Sequence, residues 1–207
     1  MSVRLREGFE VVVRPIAPSD KELLARGFGR LGEQSRYQRF LTPVDHLTSS
    51  QLAYLTEVDH HDHEALIAFD AAGGDGVAVA RFVRTGETDA AEAAVTVVDA
   101  WQGRGLGTAL CSLLADRARE EGIARFTATL LASNHQMLDL LATLGPTREI
   151  SRDDATAVVE VELPERGIGE QMAGVLRVAA GGTVELATPP WGLDPAEDQR
   201  RRSIDPP

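Results

Sequence analysis

The chain has 207 residues, enough for one domain with a full core and an appendage, and its apolar content of 43% is ordinary for a soluble globular protein. A net charge of −11 argues against nonspecific binding to nucleic acid or to an anionic membrane, and suits a partner that presents a cation such as a lysine amine. The single Cys111 excludes an internal disulfide, no apolar run reaches about 18 residues, and the N-terminus MSVRLREGFE has no signal-peptide core; a cytoplasmic protein is expected.

Phe9–Pro15 (FEVVVRP) is β-branched and ends at proline, which predicts a first strand. Ser19 with Glu22 predicts a capping box, opening a helix that carries Leu23, Leu24 and Leu31 and weakens at Gly27, Gly29 and Gly32. Arg36–Phe40 predicts a second short helix, stopped before Pro43. Thr48 with Gln51 predicts another capped helix, with Leu52 and Leu55. Ala65–Ala71 and Val77–Thr85 read as strands joined through the turn Gly73–Gly76, and Ala91–Val98 follows the loop Glu87–Ala90 as a fourth strand. A helix over Thr108–Glu121 ends at Gly122, and Phe126–Leu131 is the fifth strand. Asn134 opens a helix with Met137, Leu138, Leu141 and Leu144, ended by Gly145. Thr147–Ser151 and Thr156–Leu163 are two last strands around the turn Arg152–Asp154. That order predicts an α/β protein of the α+β kind, with a mixed, mostly antiparallel sheet of about seven strands flanked by helices. It fills residues 1–163; residues 164–207 are a C-terminal extension with one helix over Ile168–Ala180 and a mobile tail rich in proline and charge.

Between the fourth strand and its helix lie a short polar break, Asp99–Trp101, and a glycine-spaced loop, Gln102–Gly107. Glycines handed to a helix N-terminus make an anion site, because backbone N–H groups approach closely and the helix dipole favours negative charge. A P-loop is excluded because no lysine follows the glycines. A dinucleotide loop is excluded because its sixth position is Thr108 counted from Gly103, or Leu110 counted from Gly105. The pattern that fits is [RQ]-x-x-G-x-[GA], met by Gln102, Gly105 and Gly107.

On these residues the sequence resembles the GNAT superfamily of N-acetyltransferases, whose signature loop holds the pyrophosphate of acetyl-CoA. The resemblance covers about residues 9–163 and implies the GNAT fold, with acetyl-CoA as cosubstrate. It implies that Gln102, Gly103, Arg104, Gly105, Leu106, Gly107 and Thr108 hold the pyrophosphate, and that pantetheine runs along Val95, Thr96 and Val97. It also implies a role in the site for Asn134, beside its ordinary role as a helix N-cap. Amine acetylation further needs a base. Glu92 is a carboxylate in an otherwise apolar strand, and period-two alternation groups it with Ala94, Thr96 and Val98 on one face, where partial desolvation would make it a stronger base.

Four blocks in order, Arg14–Asp20, Ser35–Phe40, Thr56–His61 and Ala91–Gly107, together resemble the acetyltransferase domain of Pat-type bacterial protein lysine acetyltransferases. That resemblance implies a catalytic glutamate at Glu92 and direct transfer to a protein lysine, with an acyl-CoA synthetase as one acceptor. Many Pat-type proteins carry a further nucleotide-binding or synthetase-like domain, for which 207 residues leave no room, so the resemblance does not extend to that regulation. The tyrosine that many GNAT enzymes use as an acid, four residues before the glycine ending the last helix, is Leu141 here, and Tyr37 and Tyr54 lie early in the chain.

Asp59–Glu64 (DHHDHE) has the look of a metal site, but adjacent histidines in extended chain point apart and no second His or Cys cluster exists. No metal is expected; the segment is expected to shape the acceptor side, near Arg36, Tyr37 and Arg39. Trp101 is expected to pack or to form a shelf for CoA. A small amine or a protein N-terminus stays open as acceptor, as does a catalytically silent acyl-CoA-binding sensor. A homodimer is also left open.

Overall fold

Runs of alternating valine, alanine and isoleucine build one mixed sheet in the computed structural model, which describes residues 1–86, 89–165 and 185–186. The strands are β1 (Ser2–Arg4), β2 (Glu10–Pro15), β3 (His63–Asp70), β4 (Gly76–Arg84), β5 (Ala90–Val97), β6 (Arg125–Leu131), β7 (Thr147–Arg152), β8 (Thr156–Glu162) and β9 (Glu185–Leu186). The helices are α1 (Lys21–Gly29), α2 (Glu33–Phe40), α3 (Ser49–Thr56), α4 (Leu106–Glu120) and α5 (His135–Ala142). The sheet order is β7-β8-β6-β5-β4-β3-β2-β1-β9, and every neighbouring pair is antiparallel except β5 with β6. The mixed fold expected from the sequence is present, with two more strands than the seven foreseen, β1 and β9. The helix expected over Ile168–Ala180 lies outside the described residues. Among the described residues no helix is long and apolar enough to cross a membrane.

Strand alternation sorts the sheet into two faces. Leu66, Ala80 and Val95 share one face with the buried stripe of α4, Leu110, Leu114 and Ala118, and form the main core. Ala65, Ile67, Val79, Ala94 and Thr96 share the other, under α1–α3. The Thr48–Gln51 box caps α3 as expected, with Gln51 N–H donating to Thr48 Oγ1 at 3.2 Å and Thr48 N–H to Gln51 Oε1 at 2.8 Å. The expected Ser19–Glu22 box does not form. Asp20 takes the helix entry instead, accepting from Ala17 N–H at 2.8 Å and from both Arg14 terminal nitrogens at 2.8 and 2.7 Å. A two-pronged guanidinium bond outcompetes a serine hydroxyl.

Candidate active site

β5 and β6 pair at three positions, Ala90 with Arg125, Ala91 with Phe126 and Glu92 with Thr127, and then part. Each keeps its outer partner beyond that point: β4 stays on β5 to Val97, and β8 stays on β6 to Leu131. A gap therefore opens inside the sheet. Alternation fixes what faces it. Val98 N–H donates to Val77 at 2.9 Å and Thr85 N–H to Ala90 at 3.0 Å, so even-numbered peptide groups of β5 turn toward β4. Those of Ala93, Val95 and Val97 turn into the gap. The span Val95–Val97 thus divides: Val95 and Val97 offer backbone to the gap, while Thr96 faces α1–α3 with its side chain.

The loop follows directly. Gly103 and Gly105 have φ of 75° and 84°, the left-handed region that glycine occupies without strain. They turn the chain so that α4 starts at Leu106, two residues earlier than expected, with the N–H groups of Leu106, Gly107 and Thr108 lacking acceptors inside the helix. At Gly107 a Cβ would come within 3.0 Å of Leu140 and 3.7 Å of Val97, so glycine lets α4 close on both β5 and α5. Gln102 stays exposed but folds its amide back along the loop. Its Nε2 donates to Val97 O at 3.0 Å, to Ser35 Oγ at 3.3 Å and to Asp99 Oδ1 at 3.3 Å, and Asp99 Oδ2 accepts from Gly32 N–H at 3.1 Å. The loop is thereby tied to the start of α2. The Arg104 guanidinium lies 3.8 Å over the Phe9 ring and 5.2 Å from that of Trp101, which is buried and meets Phe9 edge-on. Asn134 caps α5 through Oδ1, accepting from Met137 N–H at 3.1 Å.

Glu92, Val95, Thr96, Val97, Gln102, Gly103, Gly105, Leu106, Gly107, Thr108 and Asn134 all line one cleft of about 1360 Å³; Arg104, held on the aromatic rings, does not. The expected desolvation of Glu92 is not observed. The carboxylate is exposed, because the strands begin to part at this residue and the cleft opens over it.

Behind Glu92 stands Arg81, which sequence reading passed over, with Arg39 and His63, both expected near the acceptor side. Arg81, in register with Ala65 and Ala94, is 6% exposed. Its Nη1 meets His63 Nε2 at 3.2 Å and its Nη2 donates to Leu55 O at 3.1 Å. Burial first, then the charge of Arg39, brings the Arg81 guanidinium down to about 9. Arg39, in the last turn of α2, is lowered by burial and held up by the Glu92 charge. Burial and the Arg81 charge lower His63, whose ring lies 5.1 Å from that of Tyr54. The available signal was an arginine in phase with Val77, Val79 and Val83, which placed a charge on an inward face.

The DHHDHE segment is a clamp. Asp59 Oδ1 accepts from the N–H groups of His61, Asp62 and His63 at 2.9, 2.9 and 2.8 Å. Glu64 meets His60 Nδ1 at 2.8 Å and Arg117 Nε at 3.3 Å, and His61 pairs with Glu121, so the segment grips the far end of α4. Among the described residues no group of His, Cys, Asp and Glu could hold a metal. Arg36 is scaffold, donating to Leu31 O at 3.0 Å, Asp45 O at 3.2 Å and Gly29 O at 3.3 Å. Cys111 is buried, which pushes its thiol up to about 12 and leaves it inert.

A mixed sheet split beside a glycine loop and a helix N-terminus is the architecture of a GNAT acyltransferase. The chain belongs to that family: the profile of the Acetyltransferase (GNAT) family matches residues 33–145. It is similar to Acetyltransferase Pat of Mycolicibacterium smegmatis, 36% identical over 163 residues, which make up 78% of this chain and 48% of that protein. It is also similar to Acetyltransferase PA5475 of Pseudomonas aeruginosa, 31% identical over 157 residues, 75% of this chain and 84% of that one. The chain thus spans about half the length of the mycobacterial relative. Among solved structures, the GNAT domain of S. lividans PAT superposes with a TM-score of 0.73 at 34% identity, covering 79% of this chain and 96% of that chain.

Proposed function

We propose that the protein transfers the acetyl group of acetyl-CoA to a lysine side chain of a protein, by direct attack and with Glu92 as the base, in the cytoplasm. The observation that carries this reading is the parting of β5 and β6 at Glu92, which lines up a carboxylate, unpaired backbone groups and an anion-holding loop along one cleft. The residues fit the cosubstrate. The N–H groups of Gly103–Thr108 suit a pyrophosphate at a helix N-terminus, the peptide group of Val95 suits an amide of a pantetheine arm that runs along Val95–Val97, and Asn134 borders the same cleft.

Bound acetyl-CoA supplies the activated acyl group. The Val97 N–H then donates to the charge that grows on the acyl oxygen. Glu92 takes the proton of the incoming ammonium, directly or through one water. Its exposure lets solvent compete, so the two substrates themselves exclude water as they fill the cleft. Leu141, buried, stands where other GNAT enzymes place an acidic tyrosine. A thiol of pKa about 8.5 leaves adequately without that acid. The names of the Pat relatives support acyl transfer, and an acyl-CoA synthetase is the acceptor to try first.

The test follows free thiol released from acetyl-CoA with a panel of lysine-containing proteins that includes an acyl-CoA synthetase, using wild type and Glu92→Gln. Acceptor-dependent turnover should fall about 10²–10⁴-fold in the variant, or about 2.7–5.4 kcal/mol of barrier. Tight acetyl-CoA binding with no turnover on any acceptor would instead identify a silent acyl-CoA-binding module. No acetyl-CoA binding would refute the reading of the loop.

A further inference from the structure

Several packed arginines among the described residues are neutralised. Arg14, Arg84, Arg117, Arg119 and Arg125 each form an ion pair with a carboxylate. Arg36 packs on three carbonyls and Arg104 on two aromatic rings without a carboxylate, and neither Arg39 nor Arg81 has one within 4.0 Å among the described residues; of these four Arg81 is the most buried, at 6% exposed. Arg81 spends its donors on a histidine nitrogen and one carbonyl. Arg39 lies over the ring of Phe40, 5.1 Å from its centre. The Glu92 charge acts on Arg39 without forming an ion pair, so two neighbouring guanidinium groups stay only partly compensated, which is costly.

Their position supplies a reason to keep them. Both line a small chamber of about 60 Å³, room for a carboxylate and little more, between α1–α3 and the sheet, with apolar walls that include Leu23, Phe28, Leu47 and Ile67. Arg39, Phe40, Ala94 and Thr96 belong to this chamber and to the cleft that holds Glu92, so the two spaces adjoin. An acceptor ammonium approaching Glu92 meets two like charges unless an anion is seated on them. Two guanidinium forks match a carboxylate in geometry as well as charge.

We propose that Arg39 and Arg81 form a carboxylate subsite beside Glu92, filled during the reaction by an acidic group that arrives with a substrate. The proposal rests on reading the cleft as an acyl-transfer site. The carboxylate has two sources: the free end of a short dicarboxylic acyl group carried on CoA, or an acidic side chain next to the acceptor lysine.

The experiment measures paired preferences by calorimetry and by thiol release, in wild type, Arg39→Gln, Arg81→Gln and Arg81→Lys. One pair is succinyl-CoA against acetyl-CoA. The other is two peptides that differ by Glu or Gln beside the single lysine, with CoA present for binding and acetyl-CoA for turnover. Wild type should favour the carboxylate-bearing member of one pair by about tenfold, and the pair that responds names the source. Each Gln variant should bring the preference to about twofold or less, with Arg81→Lys in between. A ratio taken within one variant cancels any loss of folded protein. No preference in either pair, or a preference that survives both Gln variants, overturns the subsite. Failure of the acyl-transfer reading shows separately, as absent turnover of acetyl-CoA on the Gln peptide, and the binding ratios still decide the subsite.

Discussion

Truncating Glu64 to alanine should cost far more than an average substitution. The side chain is 1% exposed. Its Oε1 sits 2.8 Å from His60 Nδ1 and accepts from Ala65 N–H at 2.8 Å, and its Oε2 meets Arg117 Nε at 3.3 Å. Glu64→Ala leaves the Ala65 N–H buried without its acceptor and opens a small cavity. Breaking a buried pair costs about 3–5 kcal/mol. Arg117 is 31% exposed and keeps Glu120 and Glu121, so the low end applies, about 3 kcal/mol. At about 2–4 °C per kcal/mol for a domain of this size, Tm should fall by about 6–12 °C. Glu64→Gln keeps one oxygen for Ala65 N–H and should lose about half as much. Urea denaturation followed by circular dichroism, with scanning calorimetry beside it, reads both variants. A loss below about 1 kcal/mol for Glu64→Ala would show that the clamp on α4 contributes little.

Gly145→Ala should destabilise by about 2 kcal/mol or more, because the new Cβ would fall on the Glu162 carbonyl oxygen and 2.9 Å from Pro164 Cδ, and backbone yields poorly; an unchanged urea midpoint would contradict this. Cys111, with its thiol pushed up to about 12, should resist an aromatic disulfide reagent at pH 8 and react only as fast as the protein unfolds. Immediate labelling of folded protein would count against its burial. His63 has a folded pKa below its ordinary 6.5, so the unfolded chain takes up the proton first as pH falls. The stability it contributes is whole above 6.5 and is lost as pH drops through the lowered folded value. His63→Gln should flatten the midpoint-against-pH curve in that window, and an identical slope in both proteins would show that His63 is not the sensor.

Local chemistry was the part of the molecule that could be read without coordinates. Alternation exposed the β3–β4 hairpin, Thr48 with Gln51 marked a real cap, and the glycine spacing located the β5–α4 turn. β1 was invisible because Ser2–Arg4 holds one apolar residue, Val3, which is fully buried only because β2 lies alongside. The two-residue β9 carries even less pattern. At the site, period two put Glu92 on the face it occupies, but its exposure depends on where β6 diverges, which no local pattern encodes. Gln102 was foreseen as a loop residue, and its tie to Ser35 on α2 joins residues 67 positions apart in the chain. The grip of Asp59–Glu64 on α4 was illegible for the same reason: its partners, Arg117 and Glu121, are distant in sequence.

Three register positions hold the two halves of the sheet together between β5 and β6. A molecule lying along the free edge of β5 stands in for the missing strand and becomes a piece of the architecture. Its chemical potential then enters the folding equilibrium: at a hundredfold excess over Kd it adds about 2.7 kcal/mol. Endurance against heat and proteases would therefore rise and fall with the concentration of whatever occupies that edge.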